Sequence, residues 1–181
     1  MSEPRPLHYG VPQGSFYGPV AFLLYASQLF SVMKKHLPQV HVYADDTQLY
    51  IAFNPAKDAN QWKAVAEIEI CVRDLRAWML SNKLKINDSK TEFMLLGSKS
   101  SLAKVHVDSI RVGERQVKKV PYVRNLGVWL DENLDMQLHI TKQCQKAMMH
   151  LQAIRSIRKC LTLDATRSLL HAFVTSYLDY G

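Results

Sequence analysis

Cysteine is scarce: Cys71, Cys144 and Cys160 lie far apart and are odd in number. No C-x-x-C occurs, so neither a disulfide framework nor a cysteine zinc site organises the chain. The seven histidines are scattered, with no H-E-x-x-H, and that motif's zinc chemistry is excluded. No G-x-x-x-x-G-K-[ST] is present, so there is no P-loop. The opening "MSEPRPLHYG" has charges and prolines where a signal peptide needs an apolar block. Reduced thiols and an intracellular location, cytoplasm or nucleus, are the expectation. One long run, Phe16 to Met33, lacks charge. Gly18, Pro19, Ser27, Gln28 and Ser31 interrupt it, which favours a buried helix over a membrane span, and no membrane partner is expected. Internal repeats and low-complexity tracts are absent.

What is present suits a folded chain. The sequence has 181 residues, 48% hydrophobic and 22% charged. That is enough for one globular core, or one plus a fragment. The formal net charge of +7 favours polyanionic partners such as nucleic acid or acidic lipid.

Residues 1–17 read as loop, rich in proline and glycine. Pro19 suits a helix first turn, and Lys34 and Lys35 suit its end. "VHVY" and "QLYIAF" flank "ADDT" as a hairpin. Val65, Ile68, Val72, Leu75 and Met79 form one helical stripe between about Gln61 and Asn82. "KLKIN" and "EFMLLG" read as strand pieces around "DSK". Residues 105–131 read as two or three short strands. A long helix and then a second one follow Asp135.

Four constellations carry chemical interest. In "HVYADDTQLYIAF", Asp45 and Asp46 are adjacent within an apolar and aromatic run. Two carboxylates about 4 Å apart repel by roughly 4 kcal/mol at an effective dielectric of ~20. A hairpin tip in water tolerates that, and Asp is a common turn residue. A divalent cation turns the repulsion into binding, since Mg²⁺ takes one or two carboxylates plus substrate phosphates. "GVPQGS", residues 10–15, places glycines before a helix, where backbone N–H groups meet an anion or base; a tight turn fits equally. Lys90 in "LKINDSKTE" is either a phosphate-reaching lysine or a solvated one. Gly127 in "YVRNLGVWLD" marks a bulge or a close backbone approach.

Taken in order, "GVPQGS", "YADDTQLY", "LRAWMLSNKLKINDSKTEFMLLG" and "YVRNLGVWLDENL" resemble the reverse transcriptase of non-LTR (LINE-type) retrotransposons, from about His8 to Gly181. The resemblance implies an α+β fold. Residues 1–135 would be a partial polymerase palm, an antiparallel sheet whose YADD hairpin packs on helices. Residues 136–181 would be a helical, thumb-like segment. It implies two-Mg²⁺ nucleotidyl transfer to a primer 3′-hydroxyl on an RNA template with a DNA primer. Asp45 is the implied main metal ligand, with Asp46 more peripheral. Lys90 is implied at the leaving pyrophosphate. Tyr43, Gln13, Gly14 and Ser15 are implied at nucleotide and template, and Leu126 and Gly127 at the primer end. Lys142, Lys146, Arg155, Arg158 and Lys159 are implied on the nucleic-acid backbone.

The departures are large. The family's first metal-binding aspartate precedes the "GVPQGS" loop, where Glu3 is the only acid here. The fingers region and the residue that screens the sugar 2′ position have no counterpart. Ser27 and Gln28 stand where the family usually shows an Asn-Asp pair, and Tyr17 replaces an aliphatic residue. The expectation is a truncated reverse transcriptase, inactive alone and with weak or no Mg²⁺ binding. An upstream fragment is the partner that would restore activity and cover an exposed sheet edge. A non-catalytic basic nucleic-acid-binding remnant, or a relic without function, stays open as an alternative.

Overall fold

The computed structural model describes residues 14–37 and 39–180. The fold is mixed, helices with small antiparallel strand pairs, as an α+β chain requires. It forms two compact units. The first comprises the described residues of Met1–Thr91 with Val105–Val117, the second those of Glu92–Lys104 with Lys118–Gly181.

In the first unit, helix α1 (Gly18–Lys34) begins with Pro19 in its first turn, where a missing N–H costs nothing. Strands β1 (Gln39–Tyr43) and β2 (Asp46–Tyr50) pair antiparallel, Tyr43 opposite Asp46 and Val40 opposite Leu49. Helix α2 (Asp58–Ser81) follows. Its Cys71 and Leu75 join Leu29, Met33, Leu37 and Val40 in one buried cluster. Val42, Leu49, Ile68, Trp78, Met79 and Ile86 pack around it. The side chain of Gln61, wholly buried, ties the later segment to α2. Its Nε2 donates to Pro55 O at 2.8 Å, and its Oε1 accepts from the His106 N–H at 2.9 Å. That segment forms the hairpin β3 (Ser109–Val112) and β4 (Arg115–Lys118).

Helix α1 departs from the buried helix expected of its uncharged run. Ala26, Leu29 and Met33 are buried, while Phe16, Tyr17, Val20, Leu23 and Leu24 are exposed. Among the described residues it meets α2 and β1, with Ala26, Leu29 and Met33 on its buried side. Among the described residues no helix is long and apolar enough to cross a membrane.

"KLKIN" and "EFMLLG" are not a strand pair. After α2 the chain turns at Lys83, whose φ is 58°. The Leu84 N–H reaches Met79 O at 2.8 Å and the Lys83 N–H reaches Leu80 O at 3.1 Å. This is a Schellman closure with lysine where glycine is usual. Asn87 then draws the backbone into a turn, its Oδ1 accepting from the Ser89 N–H at 3.2 Å. Of "EFMLLG", only Phe93 forms an isolated bridge, with Lys119.

The second unit holds a short helix α3 (Lys99–Leu102), capped by Ser98. It also holds the hairpin β5 (Tyr122–Asn125) and β6 (Val128–Asp131). Residues 105–131 therefore carry four strands, more than the two or three expected. Helix α4 (Gln137–Ile157) follows, then a 3₁₀ turn (Arg158–Cys160) and α5 (Leu163–Leu170), capped by Thr162. A π-helical turn (His171–Thr175) and α6 (Ser176–Leu178) complete it. His150 stacks on Tyr177 at 5.2 Å and meets Phe173 at 5.5 Å, joining α4 to these last turns. Because α4 also packs on β6, the second unit begins well before residue 136.

Three hairpins use two-residue loops, and each has positive φ at its first loop residue: Ala44 (53°), Gly113 (65°) and Leu126 (46°). Such turns match the right-handed twist of the flanking strands. Glycine adopts this conformation freely, whereas Ala44 and Leu126 pay about 1–2 kcal/mol.

Two outcomes check this core. Leu75→Ala should lower the unfolding free energy by about 2–5 kcal/mol in denaturant titrations; a loss under 1 kcal/mol would count against the cluster. Burial, and then the Asp74 carboxylate, push the Cys71 thiol up, keeping it protonated at neutral pH. Iodoacetamide should therefore modify the exposed Cys144 and Cys160 well before Cys71. Equal rates in the native protein would contradict the burial.

Candidate metal and nucleic acid site

The β1–β2 hairpin places Ala44 and Asp45 in its loop and Asp46 at the first position of β2. Both aspartates are exposed, and Tyr43 beside them is 66% exposed. The other end of the hairpin is anchored, with Val40 in the core and Val42 and Leu49 packed against it. Carboxylates thus project from a fixed mount into solvent. Their donors are hard oxygens, which suits Mg²⁺ as part of a site completed by other ligands. Among the described residues, no three His, Cys, Asp or Glu side chains come together as a metal-binding group.

Lys90 is exposed and ends the turn begun by Asn87, its N–H donating to Asn87 O at 3.0 Å. Two arginines hold this turn. Arg76 pairs with the Asp88 carboxylate, and Arg115 Nη1 donates to Asp88 O at 3.0 Å. Ile86 ties the same segment to the core that carries the hairpin. Sequence reasoning missed both arginines; only the α2 spacing of Arg76 offered a signal.

Gln13 lies outside the described residues, as does most of "GVPQGS". Gly14 has φ 85°, and among the described residues nothing lies within 4 Å of a Cβ added there, so its conformation is what favours glycine. Ser15 O accepts from the Gly18 N–H at 3.3 Å, leading the chain into α1.

Leu126 and Gly127 belong to the second unit and form the β5–β6 turn, with positive φ at both residues. That is the type I′ signature, so of the two expectations at Gly127 the bulge is not formed and the close approach is, with Tyr180 as the neighbour. Tyr180 closes over this turn. Its hydroxyl donates to Leu126 O at 2.6 Å, and its ring would stand 3.0 Å from any Cβ added at Gly127. Buried His139 accepts from the Trp129 N–H at 3.3 Å through Nδ1 and meets Tyr180 O at 3.0 Å through Nε2. With Nδ1 accepting, Nε2 carries the proton and donates. Nothing in the sequence marked Tyr180 or His139 for this role.

The five basic residues assigned to a nucleic-acid backbone do not form one stripe. Lys142 and Lys146 share a face of α4, but Arg155 is ~220° further round at 100° per residue. Lys146 is half-buried with Nζ 5.6 Å from the centre of the Tyr177 ring, a cation–π contact. Lys142, Arg155, Arg158 and Lys159 are exposed.

Comparison with known proteins places the chain. The family described as "Reverse transcriptase (RNA-dependent DNA polymerase)" matches residues 1–130, and the chain belongs to that family. It is 26% identical over 191 aligned residues to "Probable RNA-directed DNA polymerase from transposon BS" of Drosophila melanogaster. The match takes in 99% of this chain and 20% of that protein, so the chain spans about a fifth of the relative's length. Both findings agree with the non-LTR retrotransposon resemblance of its motifs. No solved structure matches.

The approach to α4 carries a testable charge. Asp131 Oδ1 accepts from the Asn133 N–H at 3.2 Å and the Asp135 N–H at 3.0 Å. Desolvation is the largest influence on this carboxyl and raises it. Hydrogen bonds with the backbone and side chain of Asp135, and with the backbones of Asn133 and Met136, outweigh it, so the group ends below its ordinary value. A lowered native value means stability that is present above the unfolded carboxyl range, near pH ~3.9, and lost as pH falls through the native value. Asp131→Asn should therefore reduce the melting temperature at pH 7, with the gap closing below about pH 4. A gap unchanged down to pH ~2 would refute the assignment.

Proposed function

We propose that the chain is a segment of a non-LTR retrotransposon RNA-directed DNA polymerase, with the β1–β2 hairpin as the metal-holding edge of its palm. Support comes from one observation above all. Asp45 and Asp46 stand exposed at the tip of a hairpin rooted in the core, within the residues that match the family. Asp45 is the main ligand and Asp46 the peripheral one. Mg²⁺ held there supplies electrostatic stabilisation to the oxygens exchanged when a primer 3′-hydroxyl attacks an incoming nucleotide.

The remaining roles follow from position. Tyr43 borders the nucleotide, together with Gln13, Gly14 and Ser15. Lys90, on a turn braced by Arg76 and Arg115, offers a point charge to the leaving pyrophosphate. Leu126 and Gly127 present the β5–β6 turn to the primer end. Lys142, Lys146, Arg155, Arg158 and Lys159, on the thumb-like segment from residue 136, meet backbone phosphates of the RNA template and DNA primer in two groups. A two-metal site takes ligands from both strands, and Asp45 and Asp46 by themselves hold Mg²⁺ weakly, since a pair of carboxylates relies on substrate phosphates to complete even one ion's shell. Polymerisation therefore depends on an acidic strand contributed from beyond the described residues, by an upstream segment or a separate fragment.

The competing reading is a non-catalytic nucleic-acid-binding remnant, favoured by the exposed cations around Arg155 and Arg158. Primer extension on an RNA template separates the two. The purified chain alone should be silent. Mixing with an upstream reverse transcriptase fragment should produce Mg²⁺-dependent extension. Asp45→Asn should then reduce the rate by more than the roughly 10–100-fold typical of a residue that only orients a ligand. Extension by the chain alone would overturn the dependence on a third acid. Extension indifferent to Asp45→Asn would overturn the metal assignment.

A further inference from the structure

One face of α2 builds the core, and the opposite face builds something else. Trp62, Ala66, Glu69, Arg73 and Arg76 recur at spacings of four, three, four and three. At 100° per residue, all five fall within ~80° of arc, away from Cys71 and Leu75. The β3–β4 hairpin lies beside this stripe, with the Arg111 N–H donating to Glu69 Oε1 at 2.7 Å. Two grooves of ≈ 410 and ≈ 440 Å³ open here, and Ala66 and Glu69 line both. They lie end to end along the α2 stripe and share that wall, a two-part channel. At one end stand Arg73, Arg76 and Arg111. At the other stands Trp62, 55% exposed, with His106, Ser109 and Gln116.

We infer that this channel binds a single-stranded polynucleotide, with phosphates on the three arginines and a base stacked on Trp62. Guanidinium groups suit phosphate oxygens through their planar fork of donors. An exposed indole is a stacking platform that tolerates any base. The amide of Gln116 and the imidazole of His106 offer hydrogen bonds to a base edge. Asp108 lines the Trp62 end, where a base and not a phosphate sits, and the acids at the arginine end leave this capacity in place. Glu69 already accepts from Arg111. Asp74 and Asp88 each engage a single nitrogen of Arg73 and Arg76, and a guanidinium has five N–H donors. Gly113 seats the Arg76 guanidinium, whose central carbon would stand 2.7 Å from an added Cβ. A group held this way loses little freedom when a ligand arrives.

Length separates a strand from a free nucleotide. Trp62 and Arg73 are eleven residues apart on α2, about 16 Å at 1.5 Å per residue. A mononucleotide carries its phosphate one sugar away from its base and cannot reach both. The channel does not involve Asp45 or Asp46 and shares only Arg76 with the turn that carries Lys90, so variants at Trp62, Arg73 and Arg111 test it separately from the polymerase reading.

The test is a tryptophan fluorescence titration of the whole chain with a ten-nucleotide oligouridylate, over a range of salt. Uridine monophosphate, a double-stranded RNA and anionic lipid vesicles serve as alternative probes. Saturable quenching by the oligouridylate is expected of the parent, and affinities of parent and variants are read by anisotropy of an end-labelled oligouridylate, where Trp62→Ala should fall roughly 5- to 160-fold. Arg73→Gln with Arg111→Gln, both at exposed positions, should reduce the slope of log affinity against log salt by about 1.4, at ~0.7 per phosphate contact on a single strand. Circular dichroism identical to the parent qualifies each variant. Unchanged affinity and slope in both folded variants would overturn the proposal. So would monophosphate, duplex or vesicles matching the oligouridylate.

Discussion

Cys71 and Leu75 of α2 lie in one buried cluster with Met33 near the end of α1, Leu37 just beyond it and Val40 of β1. The first unit is organised by that contact. It fixes the root of the β1–β2 hairpin, so the acidic tip is held at a set height above the core. It holds the segment leading to Lys90 through Ile86. It also orients α2, which decides that the face bearing Trp62 and Arg73 looks outward. Apolar burial is non-directional, yet here it aims three polar features at once, because each grows from an element that the cluster has already immobilised.

The second unit relies on polar ties more than on apolar ones. His139 joins the β6 backbone to Tyr180 through its two nitrogens, and Tyr180 closes over the β5–β6 turn. Asp131 gathers the backbone N–H groups of the residues leading into α4. A two-stranded hairpin is marginal by itself in water. These fastenings, with the stacking of His150 on Tyr177, hold it against the helices.

Much of this was legible in the chain. Alternation around "ADDT" marked the first hairpin, and the three-and-four spacing of Val65, Ile68, Val72, Leu75 and Met79 marked α2. Both signals are local, and local periodicity survives folding. The misreadings were at places where side chains compete with the backbone. Asn87 and the left-handed Lys83 turned an apolar stretch that composition assigned to strands. The uncharged run of α1 indicated burial, but burial depends on what surrounds a helix, and only one side of α1 is covered among the described residues. Asp45 and Asp46 stand out in the sequence by their pairing within an apolar run. Tyr180 and His139 were not, since their partners lie dozens of residues away and leave no pattern.

Ala44 holds its left-handed conformation beside the aspartates without the freedom of glycine. That narrows the alphabet this corner of the chain can use. Valine, isoleucine and threonine are sterically penalised there. Glycine would relieve the strain and at the same time slacken the tip. Position 44 therefore acts as a filter on sequence drift, set by a dihedral angle and by no contact with any ligand.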